Sequence, residues 1–224
     1  MMLNLEAIRN GVMQEYPYNW IFFDNLISQT QLIELRNSFP LIEIFPKREK
    51  PHHRPAIIVY DEAEEFADEH TKKILYYPSK SLSNIWQALV EELHSSAYRA
   101  SIAKLTRLNL EQQLIRVSLS RLDPIVNGSH SDSEGITLTH LLYFGREDWK
   151  TEWGGCLQIL LNEQLESIFQ EIPPRNGMSI VIVRSENSWH NVSPVSSQEA
   201  SQDRLTVIVR FYDRMTFLKL RANQ

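Results

Sequence analysis

Ile136-Thr137-Leu138-Thr139-His140-Leu141-Leu142-Tyr143-Phe144 decides how the rest of the chain is read. Successive side chains of an extended segment leave opposite faces. Thr139, Leu141 and Tyr143 therefore share one face, and His140, Leu142 and Phe144 share the other. Upstream, Leu114 to Leu122 has the same two-faced character: Ile115, Val117 and Leu119 alternate with Arg116, Ser118 and Ser120. The apolar face suits packing against helices, and the small polar face suits a wet interior. Downstream come Gly155 to Leu160, the β-branched run Met178 to Val183, and Arg204 to Phe211. Turn signals separate them, among them Asn162-Glu163 and Pro173-Pro174-Arg175-Asn176-Gly177. Several short strands punctuated in this way indicate a sandwich or barrel, and a double-sheet jelly roll manages its edges by such an arrangement.

The N-terminal half reads differently. Leu3 to Glu15 predicts a short helix, and Trp20-Ile21-Phe22-Phe23 a strand. Ser28 and Gln31 have the spacing of a capping box ahead of a helix that runs up to Pro40. Lys47 to Arg54 is basic, and after a strand at Ile57 to Tyr60 an acidic segment follows from Asp61 to Glu69. The two charged segments read either as solvated loops or as a lid whose cations, Arg54 included, meet an anionic substrate. From Ser81 to Leu108 the spacing of Ile85, Leu89, Val90, Leu93, Ala97, Ile102 and Leu105 predicts two consecutive helices over one face of a sheet. The expectation is a single α+β domain over residues 1–224, with helical support in 1–113 and a jelly-roll core in 114–215.

Composition narrows the partners. The 224 residues are 42% hydrophobic and 23% charged, within the range of ordinary globular domains. A net charge of −5 gives no reason to expect nucleic acid or anionic lipid. There is no basic stripe or stacking platform for a nucleic-acid substrate. No apolar run is long enough to span a bilayer, and the N-terminus lacks a secretory pattern. Cys156 is the sole cysteine, which argues for a reducing, cytoplasmic setting.

The residues that carry chemistry cluster around these strands. His130-Ser131-Asp132 precedes the deciding strand, and His190 lies just past the β-branched run. If the first segment is extended, His130 and Asp132 leave it on the same side. Two imidazoles and one carboxylate are the ligand set of a non-haem Fe(II) site with open positions. Arg204, which opens the last strand, is of the type that holds a carboxylate by a bidentate pair.

Together these pieces resemble the prolyl-4-hydroxylase-type branch of the Fe(II)/2-oxoglutarate-dependent oxygenases. The resemblance is carried, in order, by His130-Ser131-Asp132, by Thr139-His140-Leu141-Leu142-Tyr143, by Trp149, and by Gly154-Gly155-Cys156-Leu157. It continues through Pro174-Arg175-Asn176-Gly177 and His190-Asn191-Val192-Ser193-Pro194 to Arg204. It extends from about Leu114 to Tyr212, and Trp20 to Phe39 is similar to the family's entry strand and helix. The family's strand ends Tyr-Leu-Asn, whereas this one reads Tyr143-Phe144-Gly145. An inward tyrosine expected before the metal triplet is absent, and Ser120 or Arg121 stands in that region.

What the resemblance implies is concrete. The fold would be a double-stranded β-helix flanked by N-terminal helices. His130, Asp132 and His190 would bind Fe(II), with 2-oxoglutarate and O2 as co-substrates. The far carboxylate of 2-oxoglutarate would pair with Arg204 and Tyr143, on the face shared with Thr139 and Leu141, and Arg210 is the fallback. The reaction would hydroxylate an unactivated C–H of a small molecule such as an amino acid or natural product, with release of succinate and CO2. Arg116, Ser118, Ser120, Arg184 and Trp189 are the candidate substrate residues. Peptide or protein hydroxylation and a non-catalytic jelly-roll binding module are the alternatives.

Overall fold

The computed structural model describes residues 1–46, 56–121, 127–196 and 203–222. Helix α1 (Leu5–Asn10), strand β1 (Trp20–Phe23) and helix α2 (Gln29–Asn37) open the chain. Strand β2 (Ala56–Asp61), helix α3 (Glu69–Leu75), helix α4 (Asn84–Leu93) and helix α5 (Ser96–Thr106) follow. The strands β3 (Leu114–Arg121), β4 (Asn127–His130), β5 (Ile136–Tyr143), β6 (Leu157–Leu160) and β7 (Ile168–Ile172) come next. Then come β8 (Ser179–Val183), β9 (His190–Val192), β10 (Leu205–Tyr212) and a closing helix α6 (Arg214–Ala222).

Two antiparallel sheets result. The larger has the order β1-β8-β5-β10-β3-β2, and the smaller β4-β9-β6-β7. Alternation assigns the two faces as the sequence predicts. Ile115, Val117, Leu119, Leu138, Leu142, Val207 and Phe211 face outward and pack on the helices with Ile8, Leu35, Trp86, Leu89 and Ile102. Leu141, Tyr143, Ile180, Ile182 and Ile208 face inward, against Leu157, Ile159, Ile172 and Val192 of the smaller sheet. The second core is thus the inside of a jelly roll, with helices on one outer face, and the α+β expectation holds.

Several local expectations change. The first helix stops at Asn10 rather than Glu15: Gly11 leaves it with extended backbone, and the chain there lies so close to Ile21 and Phe23 that a Cβ on Gly11 would be about 3 Å from both. Ser28 precedes α2 but caps no backbone amide; its hydroxyl donates to the Gln31 side chain at 2.8 Å. The acidic segment after β2 is not simply solvated. Both Nε and Nη2 of Arg116 donate to Asp61, at 3.0 and 2.8 Å. Glu62 takes both its oxygens to Arg99 Nη2, at 2.8 and 3.0 Å. The basic stretch 47–54 with Arg54, the Asp123-Pro124 turn and most of the polar run before Arg204 lie outside the described residues.

His140 gives the first testable consequence. It lies on the outward face of β5, fully buried, with Nδ1 hydrogen-bonded to the Tyr98 hydroxyl at 2.7 Å. Burial pulls its pKa from 6.5 down to about 3. The unfolded chain takes up this proton near pH 6.5 and the folded chain does not. Stability is therefore fully present above that pH and is lost as pH falls. The loss from this one group amounts to about 3 kcal/mol between pH 6.5 and 4. Urea unfolding of Tyr98→Phe/His140→Phe across that range is expected to show a correspondingly shallower acid slope. An unchanged slope overturns the assignment.

Candidate metal centre and active site

The smaller sheet sets two imidazoles side by side. His130 ends β4 and His190 begins β9, and the two are direct antiparallel partners. Opposed residues of an antiparallel pair project to the same side, and here the ring centroids are 4.5 Å apart. Asp132 follows His130 by two residues as the chain turns into β5. Among the described residues these three form a group whose potential ligand atoms all lie within 4.8 Å of one another.

Their remaining polar atoms are held by the protein. His130 Nδ1 lies 3.0 Å from the Gly128 carbonyl, and His190 Nδ1 lies 2.9 Å from that of Ser188. A carbonyl only accepts, so each Nδ1 carries a proton, and in the neutral ring the lone pair is left on Nε2. That is the tautomer a metal ligand needs, fixed by an outer hydrogen bond. Thr139 Oγ1 donates to Asp132 Oδ2 at 2.6 Å, leaving Oδ1 for a metal. Burial by itself would raise the Asp132 pKa, but Arg210, His190, Thr139 and His130 outweigh it and leave the carboxyl below its usual range. Two imidazoles with their Nδ1 atoms tied back and a carboxylate held ionised are a ligand set that fits Fe(II).

Toward the far end of β5 and β10 lies Arg204, 3% exposed. Its Nε donates to the Gly155 carbonyl at 2.6 Å and its Nη1 to Thr206 Oγ1 at 3.2 Å. Its guanidinium carbon sits 5.3 Å from the centre of the Tyr143 ring. It makes no ion pair among the described residues. Burial lowers its pKa, with Tyr143 and Cys156 opposing the shift. A buried cation without a carboxylate is costly, and one carboxylate of a dicarboxylic acid would relieve that cost. The two glycines make room for this. Both have positive φ, a Cβ on Gly154 would overlap the Pro194 carbonyl, and one on Gly155 would reach 3.2 Å from Arg204 Cδ.

The other expected residues are placed as follows. Leu141 lies on the inner face opposite Ile208. Thr139 shares that face, but its hydroxyl serves Asp132. Ser118 and Ser120 face inward opposite Ile208 and Thr206, both buried. Arg121 turns outward to the Pro40 carbonyl and the Phe39 ring, so of the two stand-ins Ser120 alone faces the interior. Arg116 is inward but held by Asp61. Arg184 Nε approaches the Asp132 carbonyl at 3.4 Å. Trp189 is half-buried, and its carbonyl accepts from the Tyr18 hydroxyl at 2.8 Å. Tyr18, which the sequence reading missed, braces the strand that carries His190; only its place in an aromatic cluster with Tyr16 and Trp20 marked it.

Residues 121–212 match the family model described as the 2OG-Fe(II) oxygenase superfamily. That segment holds the three clustered residues and Arg204, so over this part the chain is similar to the 2OG-Fe(II) oxygenases, and its His-Asp-His group could hold a metal ion. Two of the solved structures that share its fold are prolyl hydroxylases. A Pseudomonas putida prolyl-4-hydroxylase superposes with a TM-score of 0.51 at 16% identity, covering 94% of this chain and 97% of its own. A Trichoplax adhaerens prolyl hydroxylase, in complex with a peptide fragment of the hypoxia inducible factor oxygen degradation domain, gives 0.54 at 15% identity, with coverages of 99% and 91%. EvdO2 from Micromonospora carbonacea var. aurantiaca gives 0.51 at 14%, covering 86% of each chain. At these identities the likeness speaks for the fold. No curated protein matches the chain by sequence.

Proposed function

We propose that the chain is a hydroxylase that oxidises an unactivated C–H of a small-molecule substrate. His130, Asp132 and His190 hold Fe(II), and Arg204 with Tyr143 receives the far carboxylate of 2-oxoglutarate. The observation that carries this reading is the pairing of a preset His-Asp-His cluster with a buried, carboxylate-free arginine. When bound, the iron, 2-oxoglutarate and O2 supply the oxidising chemistry, with succinate and CO2 as by-products. The chain's own part is positional. Gly128 and Ser188 fix the imidazole tautomers, Thr139 orients Asp132, and the inward face of Ser118, Ser120, Leu141 and Ile208 lines the interior between the sheets. A cytoplasmic setting belongs to this reading and rests on Cys156, the only thiol, which is free and buried. Among the described residues no helix is long and apolar enough to cross a membrane.

A peptide substrate is the second reading, favoured by the peptide held in the Trichoplax neighbour. Succinate release measured over a panel of metabolites and proline-containing peptides separates the two. Stimulation by metabolites alone is expected, and stimulation by peptides alone reverses the order.

Asp132 also bears on the product. Halide needs an iron position, and here a carboxylate stands ready for it. With chloride present, the main product is expected to have gained oxygen or lost two hydrogens. A chlorinated main product would sink the hydroxylase reading.

A further inference from the structure

Three arginines converge on the metal end of the barrel, and they differ in what balances them. Arg116 of β3 is opposite Arg210 of β10, which is opposite Thr139 of β5, the residue bonded to Asp132. Arg116 is neutralised by Asp61, whose carboxylate is almost fully buried. Arg210 has no carboxylate of its own: the one whose charge it feels is Asp132, which the metal would also engage. It shares the inner face with Arg204 and Ile208, its Nε is buried without a hydrogen bond, and it makes no ion pair among the described residues. Arg184 follows β8 on the other side of Asp132. It reaches the Asp132 main-chain carbonyl, is partly open to solvent, and likewise forms no ion pair among the described residues.

The charge of the loaded site sharpens the contrast. A dication, Asp132, a dianionic 2-oxodicarboxylate and Arg204 together carry no net charge. The guanidiniums of Arg210 and Arg184 then stand over as unbalanced positive charge beside the reacting centre. Planar guanidiniums bind carboxylates and phosphates by paired hydrogen bonds, and desolvated cations without a counter-charge are costly.

We propose that the substrate of this site is an oxyanion, a carboxylate or phosphate ester, whose charged group is received between Arg210 and Arg184. The inference rests on the oxygenase reading and narrows it: the charged group fixes the pose, and the bond to be oxidised lies a short reach from it.

The test uses the full-length protein loaded with Mn(II) and 2-oxoglutarate, without turnover. Benzoate, phenyl phosphate and the neutral benzamide are titrated by calorimetry into wild type, Arg184→Gln, Arg210→Gln and the double variant. Wild type is expected to bind one of the two anions at least tenfold more tightly than benzamide, and which anion it is tells carboxylate from phosphate. Each single variant should reduce that preference several-fold and the double variant should abolish it, with 2-oxoglutarate affinity unchanged in Arg184→Gln. If wild type takes up Mn(II) and 2-oxoglutarate but binds neither anion better than benzamide, this inference fails and the oxygenase reading stands. The same follows if the double variant keeps the preference. If wild type binds neither Mn(II) nor 2-oxoglutarate, both fall. Should Arg210→Gln not fold, Arg184→Gln and the wild-type comparison still decide.

Discussion

His130→Ala and Asp132→Ala each lower 2-oxoglutarate-dependent succinate release by more than a hundredfold, with a matching loss of Fe(II) affinity. The size follows from how the site is built. Removing only an outer hydrogen-bond partner of a metal ligand typically costs about 10–100-fold. Removing a ligand takes away a member of a three-atom set drawn together within 4.8 Å, and metal binding depends on the full set. Neither substitution should unfold the protein, since His130 is only half-buried and Asp132, although buried, lies outside the strands in the segment leading to β5. Circular dichroism of the metal-free variants checks this. Normal 2-oxoglutarate consumption by both variants would refute the assignment of the three ligands.

Arg204→Ala has the second largest expected effect, on the co-substrate rather than the metal. A buried carboxylate that loses its charged partner costs roughly 3–5 kcal/mol, so the KM for 2-oxoglutarate should rise at least a hundredfold. Fe(II) affinity should stay near wild type, because the hydrogen bonds of Arg204 run to the Gly155 carbonyl and to Thr206. The free protein should not suffer in proportion, since its own Arg204 makes no ion pair among the described residues. If Arg204→Ala behaves as wild type while Arg210→Ala loses 2-oxoglutarate, the two arginines have been assigned in the wrong order.

What the sequence made legible was periodic or chemically rare. The alternation of β3, β5 and β10 announced both faces of the larger sheet, and His130, Asp132, His190 and Arg204 stood out by residue type and order. Strand β4 did not stand out. Asn127-Gly128-Ser129-His130 has no apolar residue and reads as a turn, and its pairing with β9 is a contact between distant parts of the chain. Strand β7, with Ile168 and Phe169 exposed, shows no buried alternation. Asp61 looked like one acidic residue among several, until β3 brought Arg116 beside it. Helix α6 was missed because its start depends on Asp213, whose carboxylate accepts from Thr216 N at 2.8 Å, directly after a strand. Each of these was settled by a partner far away in sequence or by geometry at a single residue, where local propensity has little to say.

The pairing of His130 with His190 has a mechanical side. Strand β4 is held to β9 by few register pairs, with an irregularity between Asn127 and His130. An ion shared by His130 and His190 spans about 60 residues of chain, and such a clasp restricts the unfolded state more the longer the loop it closes. Under the proposed metal assignment, iron supply and the integrity of the smaller sheet become coupled quantities: a chelator should then act as a mild denaturant of that sheet before the helix-backed one.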